Sequence, residues 1–235
     1  MSKPIHKTLL GCFASSLILI LFDCRNASLT DPMNSDRSKI SSAAGLAAAP
    51  TAYLDITGSP YNAVPNDNTD DTAAINQCAA DAKAQGKGVY IPNGEFRHSG
   101  VLIFDSVDVV GQSASGAKLL ATAPATASCK MLGTLAKVRN LSLVGTATSR
   151  SQADSSCGIL ASSVANITIS GVVISGMAGA GMKLNNVNGG TVSGNAVTGT
   201  FADGIHMTEK SRNLVVQNNS VTGTGDDCIS IVSYV

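Results

Sequence analysis

Three aspartates late in the chain have the type and spacing to do chemistry: Asp203, Asp226 and Asp227. Asp203 stands one residue before Gly204, and Asp227 one residue before Cys228. The segments that follow align as Gly204-Ile205-His206-Met207 and Cys228-Ile229-Ser230-Ile231. If these are successive rungs of a parallel sheet, neighbouring strands lie ~4.8 Å apart and the two carboxyl groups stack, with Asp226 beside them. Equivalent positions in earlier segments hold Cys157 and Ala180, so the acids do not belong to the repeat itself. Clustered carboxyls repel, which raises at least one pKa and leaves a protonated acid next to an ionised base. Glycosidic bond hydrolysis uses that division: one group protonates the leaving oxygen while the other activates water. Two plainer readings fit the same residues, namely corner turns closed by local hydrogen bonds and a calcium site.

The elements that must position these acids are legible as a repeat. Gly158-Ile159-Leu160-Ala161, Gly181-Met182-Lys183-Leu184 and the two segments above recur at steps of 23, 23 and 24 residues. A second column aligns Asn166-Ile167-Thr168-Ile169, Gly189-Gly190-Thr191-Val192 and Asn213-Leu214-Val215-Val216. A third holds Ile174, Val197 and Val221, each with a glycine two residues on. Three short strands per repeat cannot bury their apolar faces alone, so successive turns must stack. The expected fold is all-β, a single-stranded right-handed parallel β-helix. Its inward columns are Ile159, Met182, Ile205, Ile229 and Ala161, Leu184, Met207, Ile231. Leu160, Lys183, His206 and Ser230 then point outward by the two-residue period of a strand. By strict alternation Asp203 would fall on the inner side with Ile205. A buried unpaired acid is costly, so the chain is expected to turn just before Gly204 and rotate the acid outward.

Upstream, Asp70-Asp71-Thr72 precede an Ala-rich run that closes at Gly86 and Gly88, the marks of a short N-terminal capping helix. Val89-Tyr90-Ile91-Pro92 reads as a strand and Asn93-Gly94 as a turn. Residues 25–52 are rich in Ser and Ala and read as a flexible linker, with the β-helix domain spanning 53–235. Residues 1–24 read as an export signal: Lys3, His6 and Lys7 precede an apolar stretch from Leu9 to Leu21. That stretch is short for a membrane span, and Asp23 before Cys24 is unlike a lipidation site. A secreted or cell-envelope location is therefore expected, with no stable membrane span in the mature domain. Six cysteines (Cys12, Cys24, Cys78, Cys129, Cys157 and Cys228) suit that setting as buried thiols or one or two disulfides, and their spacing matches no metal-site pattern. Sixteen basic residues balance sixteen acidic ones, which gives no support to a nucleic-acid partner held by bulk charge.

Asp203-Gly204-Ile205-His206 and Thr224-Gly225-Asp226-Asp227-Cys228-Ile229-Ser230-Ile231 together resemble glycoside hydrolase family 28, the polygalacturonases, within the pectate-lyase-like β-helix superfamily. Tyr61-Asn62-Ala63, Thr69 to Ile75 and Val89 to Gly94 resemble the opening of pectate-lyase-like domains more widely. The resemblance implies a hydrolase of α-linked galacturonan that inverts configuration and needs no metal or other cofactor. Asp226 would be the general acid, with Asp203 and Asp227 holding and activating water. His206, Lys183, Lys210 and Arg212 are candidate contacts to an acidic polysaccharide, the expected partner.

Three departures accompany the resemblance. Phe201-Ala202 replace Asn-Thr ahead of the first acid, and Tyr234 stands where a glycine commonly lies. The given sequence also ends at Val235, before the family's later histidine and Arg-x-Lys pair. Weak or no turnover, and self-association through an open last coil, are the corresponding expectations. A uronan lyase or epimerase on the same scaffold, and a non-catalytic carbohydrate-binding or surface protein, are the alternatives.

Overall fold

The computed structural model describes residues 52–233; the expected signal, nearly all of the linker, Cys12, Cys24 and Tyr234 lie outside the described residues. The described residues form an all-β right-handed parallel β-helix of about six turns with one helix on its N-terminal side. Seven, six and six strands build three sheets, every named pairing is parallel, and each strand pairs with its equivalent one coil away. The register follows the sequence columns. Ile159 pairs with Met182, Met182 with Ile205 and Ile205 with Ile229. Likewise Ile167 pairs with Gly190 and Gly190 with Leu214, while Ile174 pairs with Val197 and Val197 with Val221.

The interior is a continuous apolar column. Ile159, Met182, Ile205, Ala161 and Leu184 are fully buried, and Met207 nearly so. Ile229 and Ile231 depart from the expectation of burial, at 37% and 57% exposure. They pair with the coil below, but no strand among the described residues pairs on their other side. Leu160, expected outside, points outward yet is buried, because Cys157 and Ala180 form a small second cluster with it on the outer face.

Corners between sheets need left-handed backbone, and the sequence supplies residues that tolerate it. Asn166, Gly189 and Asn213 occupy equivalent corner positions with φ of 54°, 83° and 57°. At a neighbouring corner, buried Asn195 accepts from the Val172 amide at 2.9 Å and donates to Ile169 O at 3.1 Å and Asn219 Oδ1 at 2.9 Å.

The helix covers Thr72–Gln85 and packs Ile75, Cys78, Ala79 and Ala82 into the same core. Its first turn is tied by Asp70, which accepts the Thr72 amide at 2.8 Å. Asp71 is instead buried and accepts amides of Val64 and Arg97, joining the helix start to the following coil. Gly86 ends the helix in the left-handed conformation, where a side chain would be strained. Cys78, Cys129 and Cys157 are buried free thiols. No helix among the described residues is long and apolar enough to cross a membrane.

Candidate functional site

The candidate site lies on the outer face of the sheet containing Met182–Asn185, Ile205–Thr208 and Ile229–Val232, at the ends where these strands begin. Two equivalent turns bring the acids there. Thr200 Oγ1 bonds Ala202 O at 2.9 Å, Thr224 Oγ1 bonds Asp226 O at 2.9 Å, and the Gly225 amide bonds Thr200 O. Asp226 thus takes the place that Ala202 holds one coil earlier. Gly204 follows Asp203 at a point with no room for a side chain: a Cβ there would stand 2.1 Å from Val221 Cγ1 and 2.5 Å from Cys228 O. This close approach lets the Gly204 amide reach Asp227 O at 2.9 Å and locks the two turns in register.

Asp203, Asp226 and Asp227 each present an oxygen within 4.8 Å of the others, the one such group of three among the described residues. Such a grouping is the place a divalent cation would take if one binds, although Asp226 already has a cationic side chain beside it. The three differ sharply in environment. Asp203 is mostly buried, with its side chain 14% exposed. It bonds outward-facing His206, so the carboxylate lies on the outer side of the sheet rather than in the apolar column. His206 Nδ1 lies 2.5 Å from Asp203 Oδ2, and the Ser230 hydroxyl donates to the same oxygen at 2.8 Å. Ser230 Oγ is also 2.8 Å from His206 Nδ1, and the Asp227 amide donates to Asp203 Oδ1 at 3.1 Å. Asp227 is exposed, and its own carboxylate makes no hydrogen bond or ion pair among the described residues. Asp226 is exposed and paired with Arg150 at 3.2 Å.

The electrostatics place Asp203 on the ionised side of the acid and base division expected of the cluster. Burial alone raises it, but the hydrogen bonds from His206 and Ser230, the His206 charge and the Asp227 amide together outweigh burial and hold it below the ordinary carboxylate range. Repulsion from neighbouring acids is not what governs this group. Asp203 is an ionised, fully bonded anchor.

A cleft of about 170 Å³ runs beside the acids, lined by Arg150, Asp154, Lys183, Ala202, Asp203 and His206 among others. Lys183 enters it as the outward column requires, pairing with Asp154 at 2.6 Å. Lys210 and Arg212 do not line it. They follow the strand Ile205–Thr208 rather than precede it, so they sit at the opposite end from the carboxylates; both are exposed, and Arg212 bonds Lys210 O at 3.0 Å.

Arg150, Asp154 and Ser230 were not anticipated as site residues. Ser230 was legible, since it stacks on His206 in the outward column. Arg150 and Asp154 come from an insertion. Ile159 pairs with Cys129, 30 residues back, whereas Met182 is only 23 residues beyond Ile159. An enlarged repeat marks a loop added to one face, and here that face carries the acids.

A family model described as Rhamnogalacturonase A/epimerase, pectate lyase-like, matches residues 59–234. No curated protein matches the sequence. Among solved structures, the Agl-KA catalytic domain superposes with a TM-score of 0.72 at 21% identity, over 80% of this chain and 35% of that one. The catalytic unit of a thermostable GH87 alpha-1,3-glucanase from Streptomyces thermodiastaticus strain HF3-3 gives 0.55 at 21% identity, over 80% and 34%. ORF18 of Geobacillus virus E2 gives 0.58 at 15%, over 71% and 36%. At these identities the likeness is one of fold. The chain spans about a third of the length of each of these structures.

Proposed function

The chain belongs to the Rhamnogalacturonase A/epimerase, pectate lyase-like family, and from that premise we propose that it cleaves an acidic polysaccharide outside the cell, by hydrolysis resembling that of a polygalacturonase. The observation that carries the proposal is the convergence of Asp203, Asp226 and Asp227 beside a cleft, in three distinct environments. Protonated and off its ion pair with Arg150, Asp226 donates that proton to the departing glycosidic oxygen as the bond from the anomeric carbon breaks. Asp227, exposed and with no ion pair among the described residues, takes a proton from the water whose oxygen forms the new bond to that carbon. Asp203 touches neither reacting atom in this scheme. It fixes Asp227 through the backbone amide and orients His206, so it is a positioning residue, which revises the water-activating role implied by the resemblance.

A second reading has its own support. With Nδ1 held by Asp203, His206 can present Nε2 to the cleft as a base. A base beside a uronate suits proton abstraction next to the carboxylate, the first step of a lyase or epimerase. Following polygalacturonate for both new reducing ends and the ultraviolet absorbance of unsaturated ends separates the two. Reducing ends without absorbance support hydrolysis, and the two together support elimination. Neither, from a folded chain, contradicts cleavage and leaves epimerisation or carbohydrate binding as the role of the cleft.

A further inference from the structure

Arg150 lies in the inserted loop, next to a point where that loop is fastened to the following coil at the cleft. The Ser151 amide bonds Ala178 O at 2.9 Å, and Asp154 holds Lys183 at 2.6 Å. From that footing the guanidinium reaches Asp226, 76 residues later in the chain, and ties the cleft lining to the carboxylate cluster at 3.2 Å. Both partners are about half exposed, at 46% and 50%. An ion pair this wet is weakly held and readily exchanged. Among the described residues lining the cleft, Lys183 is less exposed, at 28%, and engaged at shorter range, and His206 is held by Asp203 at 2.5 Å. Arg150 is therefore the cation most free to change partner, and its single bond to Asp226 leaves donors of the planar guanidinium to fork onto another carboxylate.

We propose that Arg150 is an exchangeable strap: it pairs with Asp226 when the cleft is empty and moves to a sugar carboxylate when an acidic polysaccharide enters. The strap makes the cleft selective for free uronate carboxylates over esterified or neutral sugars. An uncharged sugar offers Arg150 no anion in exchange, so it must either leave the strap closed or strip Asp226 of its partner without replacement. The inference rests on the polysaccharide reading above, but concerns recognition rather than cleavage.

Calorimetric titration of the full chain with trigalacturonate and with its methyl ester tests it, using variants that silence turnover. In an Asp227→Asn chain the strap pair is intact, and the free acid is expected to bind at least tenfold more tightly than the ester. Adding Arg150→Gln removes that preference, and Arg150→Lys restores part of it. In an Asp226→Asn chain Arg150 has no internal partner, so the free acid binds about threefold more tightly than in Asp227→Asn, the size of an exposed ion pair. No binding of the free acid, equal binding of acid and ester, or a preference that survives Arg150→Gln overturns the strap. Since no turnover is read, wild-type chain that fails to cleave but shows the Arg150-dependent preference sinks the cleavage reading alone. Cleavage with no such preference sinks the strap alone.

Discussion

Asp203 is the residue on which the site is organised, and its environment makes a prediction about acid. Its carboxyl is held below the ordinary range because three donors and the His206 charge overcome burial. A lowered folded-state pKa contributes stability that is fully present above the unfolded value, ~3.9, and is lost as pH falls through the folded value. Melting temperatures of wild type and Asp203→Asn should therefore differ by a constant amount near neutral pH and converge below the usual carboxylate range. A gap that widens on acidification would contradict the anchor role. Ser230→Ala removes a bond to the same ionised group and is expected to cost about 1.5–3 kcal/mol, measurable by denaturant titration. At this scale the sequence was a partial guide. The proximity of Asp203 to Asp226 and Asp227 follows from one rung of register, and so was legible. Which of them is buried was not, because that depends on His206 and Ser230 closing over Asp203 from two strands.

At the scale of elements, two turns and one inserted loop set the geometry. The stacked turns at Thr200–Asp203 and Thr224–Asp227 depend on Gly204, where a Cβ would strike Val221 and the Cys228 carbonyl. Gly204→Ala should cost about 1–3 kcal/mol as the coils are forced apart. It should also lower activity more than the stability loss explains, since Asp203 and Asp227 lose their shared register; kinetics and melting on the same preparation check this. The repeat segments from Gly158 onward are evenly spaced and were legible as coils. The coils before them were not, because their steps vary: Val89 to Val109 is 20 residues and Val109 to Val138 is 29. The same irregularity hid Arg150, which no column aligns. Lys210 and Arg212 lie away from the acids for a different reason. They are near His206 in sequence, but a strand separates its two ends in space, and they lie past the far end.

At the scale of the whole molecule, stability is shared between neighbouring coils around one apolar column, so a cavity in any coil weakens its neighbours. Leu184 is fully buried in the coil beneath the site. Leu184→Ala should cost about 2–5 kcal/mol by denaturant titration, with loss of the carboxylate site before the helix end of the fold melts. The architecture was legible because a solenoid repeats its interior demands and so writes them into the sequence several times. The site is written once, so no second copy in the sequence repeats its demands. The central claim is that the carboxylate cluster cleaves an acidic polysaccharide, and the most direct test is reducing-end release from polygalacturonate by wild type and Asp226→Asn side by side. The account predicts release by wild type that Asp226→Asn abolishes while leaving the fold unchanged by circular dichroism. Equal release by both chains, or none from a folded wild type, would contradict it.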